Sequence, residues 1–157
     1  MDVLVTGTAI ACAAMGGVFF AFSSFVMQAL ARLPPAQGIA AMQSINVVAV
    51  TPVFMAALFG TAAASVAVAA WAVTEWRGAA TWYLLAGSLS YVIGTILVTI
   101  ALNVPLNNAL AAVNPASADA ASLWRNYVRR WTAWNHVRTV SALLAATLLL
   151  LAVMRNR

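Results

Sequence analysis

The sequence predicts an all-α fold: an integral-membrane four-helix bundle with an additional interfacial amphipathic helix before the last span. Three observations predict it. Apolar residues make up 64% of the chain and charged residues only 7%, against roughly 25% charged in a soluble domain, so few charges remain to wet a surface. Stretches at about 3–27, 47–74, 79–102 and 134–154 approach the roughly 20 apolar residues that cross a bilayer. The polar residues gather in two connections, 28–46 and 103–134, which four successive spans place on one membrane face, opposite both termini. The whole chain, 1–157, reads as one domain.

The first stretch resembles a secretory signal, because Ala29-Leu-Ala31 mimics a cleavage site. Its start carries Asp2 and no basic residue, and its apolar run exceeds the about 7–15 residues of a signal core, so a retained span is expected. Small residues spaced by four allow close helix approach in lipid. They occur as Ala9, Ala13, Gly17 and Ala21 in the first span, Ala56, Gly60 and Ala64 in the second, and Ala86, Ser90 and Gly94 in the third. All three stripes are expected to be helix contacts. Pro52 falls early in the second span, where a missing N–H costs least.

The first long connection holds Leu33-Pro34-Pro35 and a short amphipathic helix leading to Asn46. The second holds Asn103, Pro105, Asn107 and Asn108, a turn at Asn114-Pro115, and a helix from Asp119. The last purely apolar run, 140–154, is short for a span, so its helix is expected to begin earlier and to include Trp134, Asn135, His136 and Arg138.

The formal charge of +5 comes from eight arginines and the three acids Asp2, Glu75 and Asp119. With so little polar surface around it, this excess fits membrane anchoring, and no nucleic-acid partner is expected. Arg32, Arg125, Arg129, Arg130 and Arg138 on the loop side outnumber Arg77, Arg155 and Arg157 on the termini side. The positive-inside rule then makes the loop side cytoplasmic, a vote that lapses if loop arginines are buried for function. Orientation is left open, as is assembly into a homo-oligomer. The expected location is the bacterial inner membrane.

Cys12 is the sole cysteine and lies in an apolar run, which reads as a buried thiol. One histidine and one distant cysteine do not make an ordinary zinc site, so no metal is expected. The scattered acids exclude paired-carboxylate chemistry. There is no phosphate-binding glycine loop and no dinucleotide fingerprint. Haem on a single histidine is not excluded by residues alone.

Chemistry concentrates on the helix from Asp119. Trp124, Tyr127, Trp131, Trp134/Asn135 and Arg138 recur at steps of three and four, and Arg129, Thr132, His136 and Thr139 form an adjacent stripe. Tryptophans at an interface commonly anchor a helix. A belt does not need Asn135, His136 and Arg138 among its rings, and ionisable groups near the membrane interior are candidates for function. His136 is either an interfacial hydrogen-bonding ring or a general base, since an imidazole titrates near working pH. Arg138 cannot deprotonate, so it either snorkels to lipid phosphate or stabilises developing negative charge on oxygen. Asn46, Asn103 and Asn107 are either helix caps and cross-helix ties or donors to a bound oxygen.

With these residues in place, the chain resembles the membrane family that includes the anthrone oxygenases. The segments that carry the resemblance include Gly17-Val-Phe-Phe-Ala-Phe-Ser23, Gly38-Ile-Ala-Ala-Met42-Gln43-Ser-Ile-Asn46, Pro52-Val-Phe54-Met55, Asn103-Val-Pro105-Leu106-Asn107 and Trp134-Asn135-His136-Val-Arg138-Thr139. Thr51 departs from the pattern, which has Asn before the proline. The resemblance implies a four-helix membrane bundle that oxidises an anthrone to an anthraquinone with O2 and no prosthetic group. It implies His136 as base, with Arg138 and Asn135 beside it as catalytic residues. Asn46, Asn103 and Asn107 would contact the substrate, and Phe19, Phe22, Tyr127, Trp131 and Trp134 would form an aromatic pocket. The expected partners are a hydrophobic aromatic molecule, O2 and the bilayer. The rival reading is a non-catalytic protein that binds a hydrophobic molecule or a partner helix.

Overall fold

The computed structural model describes residues 2–76 and 78–155, so Arg77 and Arg157 lie outside the described residues. Four helices are long and apolar enough to cross a membrane: α1 (Asp2–Ala31), α3 (Pro52–Thr74), α4 (Ala79–Ala111) and α5 (Ala120–Arg155). A shorter helix, α2 (Pro35–Val48), precedes α3. No strand occurs among the described residues. The protein is an all-α bundle with the length and composition of a multi-pass membrane protein.

Helix length explains the architecture. At 1.5 Å per residue, the 36 residues of α5 extend about 54 Å, well beyond a hydrocarbon core of about 30 Å. Its first turns therefore project past the membrane core, and the ends of α1 and α4 accompany them. There α2 packs over them, giving the bundle two stacked cores. The spanning core is built from small and aliphatic residues such as Val5, Ala9, Cys12, Leu84, Ala142, Ala145 and Leu149. The outer core is aromatic and methionine-rich, with Met27, Ile39, Met42, Trp124, Tyr127 and Trp131.

The segment expected as a separate interfacial helix is continuous with the last span, which begins at Ala120 rather than near residue 134. Residues 47 and 48 belong to α2, and the second span starts at Pro52, capped by Thr51, whose Oγ1 accepts from Phe54 N at 3.3 Å. Proline at this first turn removes no helical hydrogen bond, which is why the chain restarts there.

Two of the small-residue stripes face outward in part, although Ala9 is buried. Ala13, Gly17, Ala56 and Gly60 are exposed, and a methyl added at Gly17 or Gly60 would meet nothing within 4 Å. The buried face of α1 is Val5, Ala9, Cys12, Met15, Gly16 and Phe19, because the packing follows the 3.6-residue period rather than a strict four. Close approach falls at Gly16 against Leu143 and at Gly87 against Ala145 and Leu148. The third stripe packs in part: Ser90 Oγ donates to Ser141 O at 2.9 Å and Gly94 meets Ser141, whereas Ala86 is exposed.

Candidate active site

Three departures from regular helix surround one point on α5. In α1 the segment Phe22–Val26 is π-helical, and in α4 so are Val92–Leu97 and Thr99–Asn103. Such bulges re-aim side chains and are frequent at functional sites. Here they bring Phe22 and Ser23 from one side, and Thr99 and Asn103 from the other, against Trp131, Asn135 and Arg138.

Arg138 is only 7% exposed although it carries a full charge. Its Nη2 donates to Asn135 Oδ1 at 2.6 Å and its Nη1 to Thr99 Oγ1 at 3.3 Å. The guanidinium carbon lies 4.6 Å from the Phe19 ring centre and 5.1 Å from that of Trp131, distances at which aromatic faces attract a cation. Its Nε is buried and has no partner. Among the described residues no carboxylate pairs with it. Asp2 and Glu75 lie at the far end of the bundle, and Asp119 precedes Arg138 by 19 residues, about 28 Å along the helix. A buried charge without a counter-ion is costly, and this one is held only by neutral dipoles and rings.

Asn135 fixes the arginine. Its Nδ2 donates to Phe19 O and to Ser23 Oγ, both at 2.7 Å, which leaves its Oδ1 aimed at Arg138. Every polar atom of this fully buried amide is used. Asn103 is also buried, and its Nδ2 donates to Trp131 O at 3.2 Å, tying α4 to α5.

These groups open onto a cavity of about 160 Å³ between α1, α2, α3, α4 and α5. Its walls are Phe19 and Phe22 from α1, Met42, Ile45 and Asn46 from α2, Phe54, Met55 and Leu58 from α3, Thr99 and Asn107 from α4, and Trp131, Asn135 and Arg138 from α5. A buried cavity of about 150 Å³ holds one benzene ring, so the enclosed part suits a flat ring. Exposed Val18, Val50 and Val104 also line it, so its mouth is apolar. Trp131 forms one wall and tilts at 52° to Phe22, with centroids 5.8 Å apart.

The polar lining consists of donors. Asn107 Oδ1 accepts from Trp131 Nε1 at 2.8 Å and from Tyr127 Oη at 2.9 Å, so its Nδ2 is left over. Asn46 Nδ2 is buried without a partner. Thr99 Oγ1 donates to Thr95 O at 2.7 Å and accepts from Arg138, so its hydroxyl is occupied.

The expected site residues therefore divide. The fold gathers Phe19, Phe22, Asn46, Asn107, Trp131, Asn135 and Arg138 around the cavity. Tyr127 supports it from behind through Asn107, and Asn103 supports it through the Trp131 backbone. Trp134 is half-buried and lies outside the lining. His136 is exposed and lines a separate groove with Ser23, Met27, Gln28, Arg129 and Thr132. The reason is angular: residues 135 and 138 share a helix face, while residue 136 is turned about 100° from the first and about 200° from the second. Arg138 and His136 are thus not brought together. Sequence reasoning missed Met42, Ile45, Phe54, Met55, Leu58 and Thr99 as lining residues. Thr99 had a visible signal, a hydroxyl one turn before Asn103 in an apolar run; the aliphatic walls had none.

Among the described residues, no three His, Cys, Asp or Glu side chains come together. No curated protein and no solved structure shows a significant match to the chain. A family profile does: anthrone oxygenase matches residues 53–148. The match takes in Thr99, Asn103, Asn107, Trp131, Asn135 and Arg138 and leaves the walls from α1 and α2 outside it. Since it spans well over half of a chain whose fold is the expected membrane bundle, the protein belongs to the anthrone oxygenase family.

Proposed function

We propose that the protein oxidises a flat, enolisable aromatic ketone of the anthrone type with O2, and that Arg138 holds the substrate oxygen. The observation that carries this reading is the buried guanidinium of Arg138, which faces an aromatic cavity without any carboxylate partner. An enolate oxygen supplies the missing negative charge, and it does so more fully as the substrate ionises, which is the condition for catalysis.

The C–H bond opposite the carbonyl breaks first, its proton passing to solvent hydroxide and its electron pair into the ring system. With the resulting oxyanion against Arg138, the pocket needs no basic side chain; its work is to make the carbon acid more acidic. The electron-rich carbon reduces O2 and forms a C–O bond, giving a hydroperoxide. Loss of the second C–H proton and cleavage of the O–O bond expel hydroxide and leave a second carbonyl. One oxygen atom ends in the product and the other in water, so a CH2 group and O2 become C=O and H2O. The reading involves no cofactor, because the substrate anion itself supplies the electrons.

The test is oxygen uptake and anthraquinone formation by the purified protein in detergent with anthrone. Arg138→Met, which keeps an unbranched apolar side chain in the cavity, is expected to lower turnover about 10²–10³-fold, the usual loss for a removed oxyanion donor. Unchanged turnover in this variant sinks the mechanism, and no turnover above the uncatalysed rate in the parent protein leaves a binding protein.

A further inference from the structure

The oxygen held by Arg138 uses one end of the cavity. Two further amides from different helices line the same cavity. Asn46 comes from α2 and its Nδ2 is buried and unpaired. Asn107 comes from α4, and its orientation is fixed by chemistry: Trp131 Nε1 can only donate, so the atom it meets is the amide oxygen, which accepts from Tyr127 Oη as well. Its Nδ2 is therefore a donor with no protein acceptor. The face of the Trp131 indole lies under the Arg138 guanidinium and its nitrogen reaches Asn107, so the indole lies between these two groups.

Resting on the site just described, we infer that Asn46 and Asn107 form a second oxygen position, and that the cavity selects a flat ligand with acceptor oxygens at opposite ends of a ring. The buried, unpaired Asn46 Nδ2 is costly, and a carbonyl that accepts from it removes that cost, with the Nδ2 of half-buried Asn107 as a second donor. A ligand with an apolar edge there leaves them unsatisfied, and a site built to hydrogen-bond a group discriminates strongly against analogues that lack it. During oxidation the second position receives the oxygen that O2 delivers, so the two asparagines favour the quinone over the ketone. They set specificity and product affinity; Arg138 sets the acidity of the substrate.

The experiment is anaerobic titration calorimetry of the full chain in detergent with anthraquinone, which has two opposed oxygens, and anthrone, which has one. The parent protein is expected to bind the quinone at least about tenfold more tightly, the effect of satisfying one or two buried donors. Asn46→Leu and Asn107→Asp should each cut that ratio severalfold. The second substitution keeps an acceptor for Trp131 and Tyr127 and replaces the donor with a carboxylate oxygen that repels a quinone oxygen. Equal affinities in the parent, or a ratio that survives both substitutions, overturn the inference. Arg138→Met separates the two readings, because it weakens both ligands together if the site is correct. Binding unaffected by that change, or binding of neither ligand, removes the site and this inference with it.

Discussion

Two faces of α5 carry polar residues one position apart, and they do opposite things. The inner face presents Trp131, Asn135 and Arg138 to a cavity, with each group except the guanidinium Nε tied to a named partner. The outer face presents Arg129 and His136 to an open groove, beside half-buried Thr132. Arg129 there meets only its own helix neighbour Asn126, at 3.3 Å. Burial, rather than residue type, separates a group held in one geometry from one that water or lipid can satisfy in many. A lone histidine attracts attention in a sequence, yet the buried arginine has the fixed donors that chemistry requires.

The sharpest way to break this comparison is to swap which face is damaged. Beside the large loss in Arg138→Met, His136→Ala should leave anthrone turnover within about twofold, in line with substitutions at exposed sites. A loss in His136→Ala equal to that in Arg138→Met would show that the groove, not the cavity, hosts the reaction.

Stability should divide along the same line. Asn135→Leu removes a partner from the Phe19 carbonyl, Ser23 Oγ and Arg138 Nη2 in a buried setting, leaving Ser23 only its contact with Thr139 Oγ1, and about 1–3 kcal/mol is expected to be lost. The matched change outside is Thr132→Val. Its Oγ1 is buried without a partner, so removing it should be neutral or slightly stabilising. Thermal unfolding of the two variants in detergent reads the difference, and similar midpoints would mean that the inner network is not a structural unit.

How far the sequence disclosed this division depends on which force decides each feature. Hydropathy alone gives four spans, because a bilayer accepts little else. The stripe Trp124, Tyr127, Trp131, Asn135 and Arg138 was legible as one face, and all five residues are buried. The place of His136 was not: adjacency in Trp134-Asn135-His136-Val-Arg138 suggested a cluster, while the helical turn separates residues 136 and 138. The π-helical segments at Phe22–Val26 and Thr99–Asn103 add a further rotation that no hydrophobic period reports. The small-residue stripes misled for the same reason, since an outward glycine and a packed one look alike in a sequence.

The cavity also depends on the helix laid over it. In α2, Gly38 sits against Trp124, where an added methyl would come 2.7 Å from the indole. Gly38→Ala should therefore displace α2, carrying Asn46 and Met42 away from the cavity, at about 1–3 kcal/mol for overpacking. Gly60→Ala adds the same methyl to open space on α3 and should stabilise by about 0.5–1 kcal/mol through helix propensity. The first variant is also expected to raise KM for anthrone more than it lowers kcat, because it disturbs the wall and not Arg138. An equal fall in kcat would place α2 in the chemistry itself.

The smallest effect tests Thr51, a position where asparagine is expected from the family resemblance. Thr51 lines no part of the cavity; it caps α3 by accepting from Phe54 N. Asparagine performs the same task, since both side chains carry an oxygen that reaches the first free N–H of a helix. Thr51→Asn should change stability by only a few tenths of a kcal/mol, and Thr51→Ala should cost about 1 kcal/mol. Phe54 and Met55, one turn further on, line the cavity, so loss of the cap should loosen that wall slightly and leave the donors on α5 untouched. If Thr51→Asn instead altered turnover severalfold, the residue before Pro52 would act on the substrate, and the polar lining would extend to the start of α3.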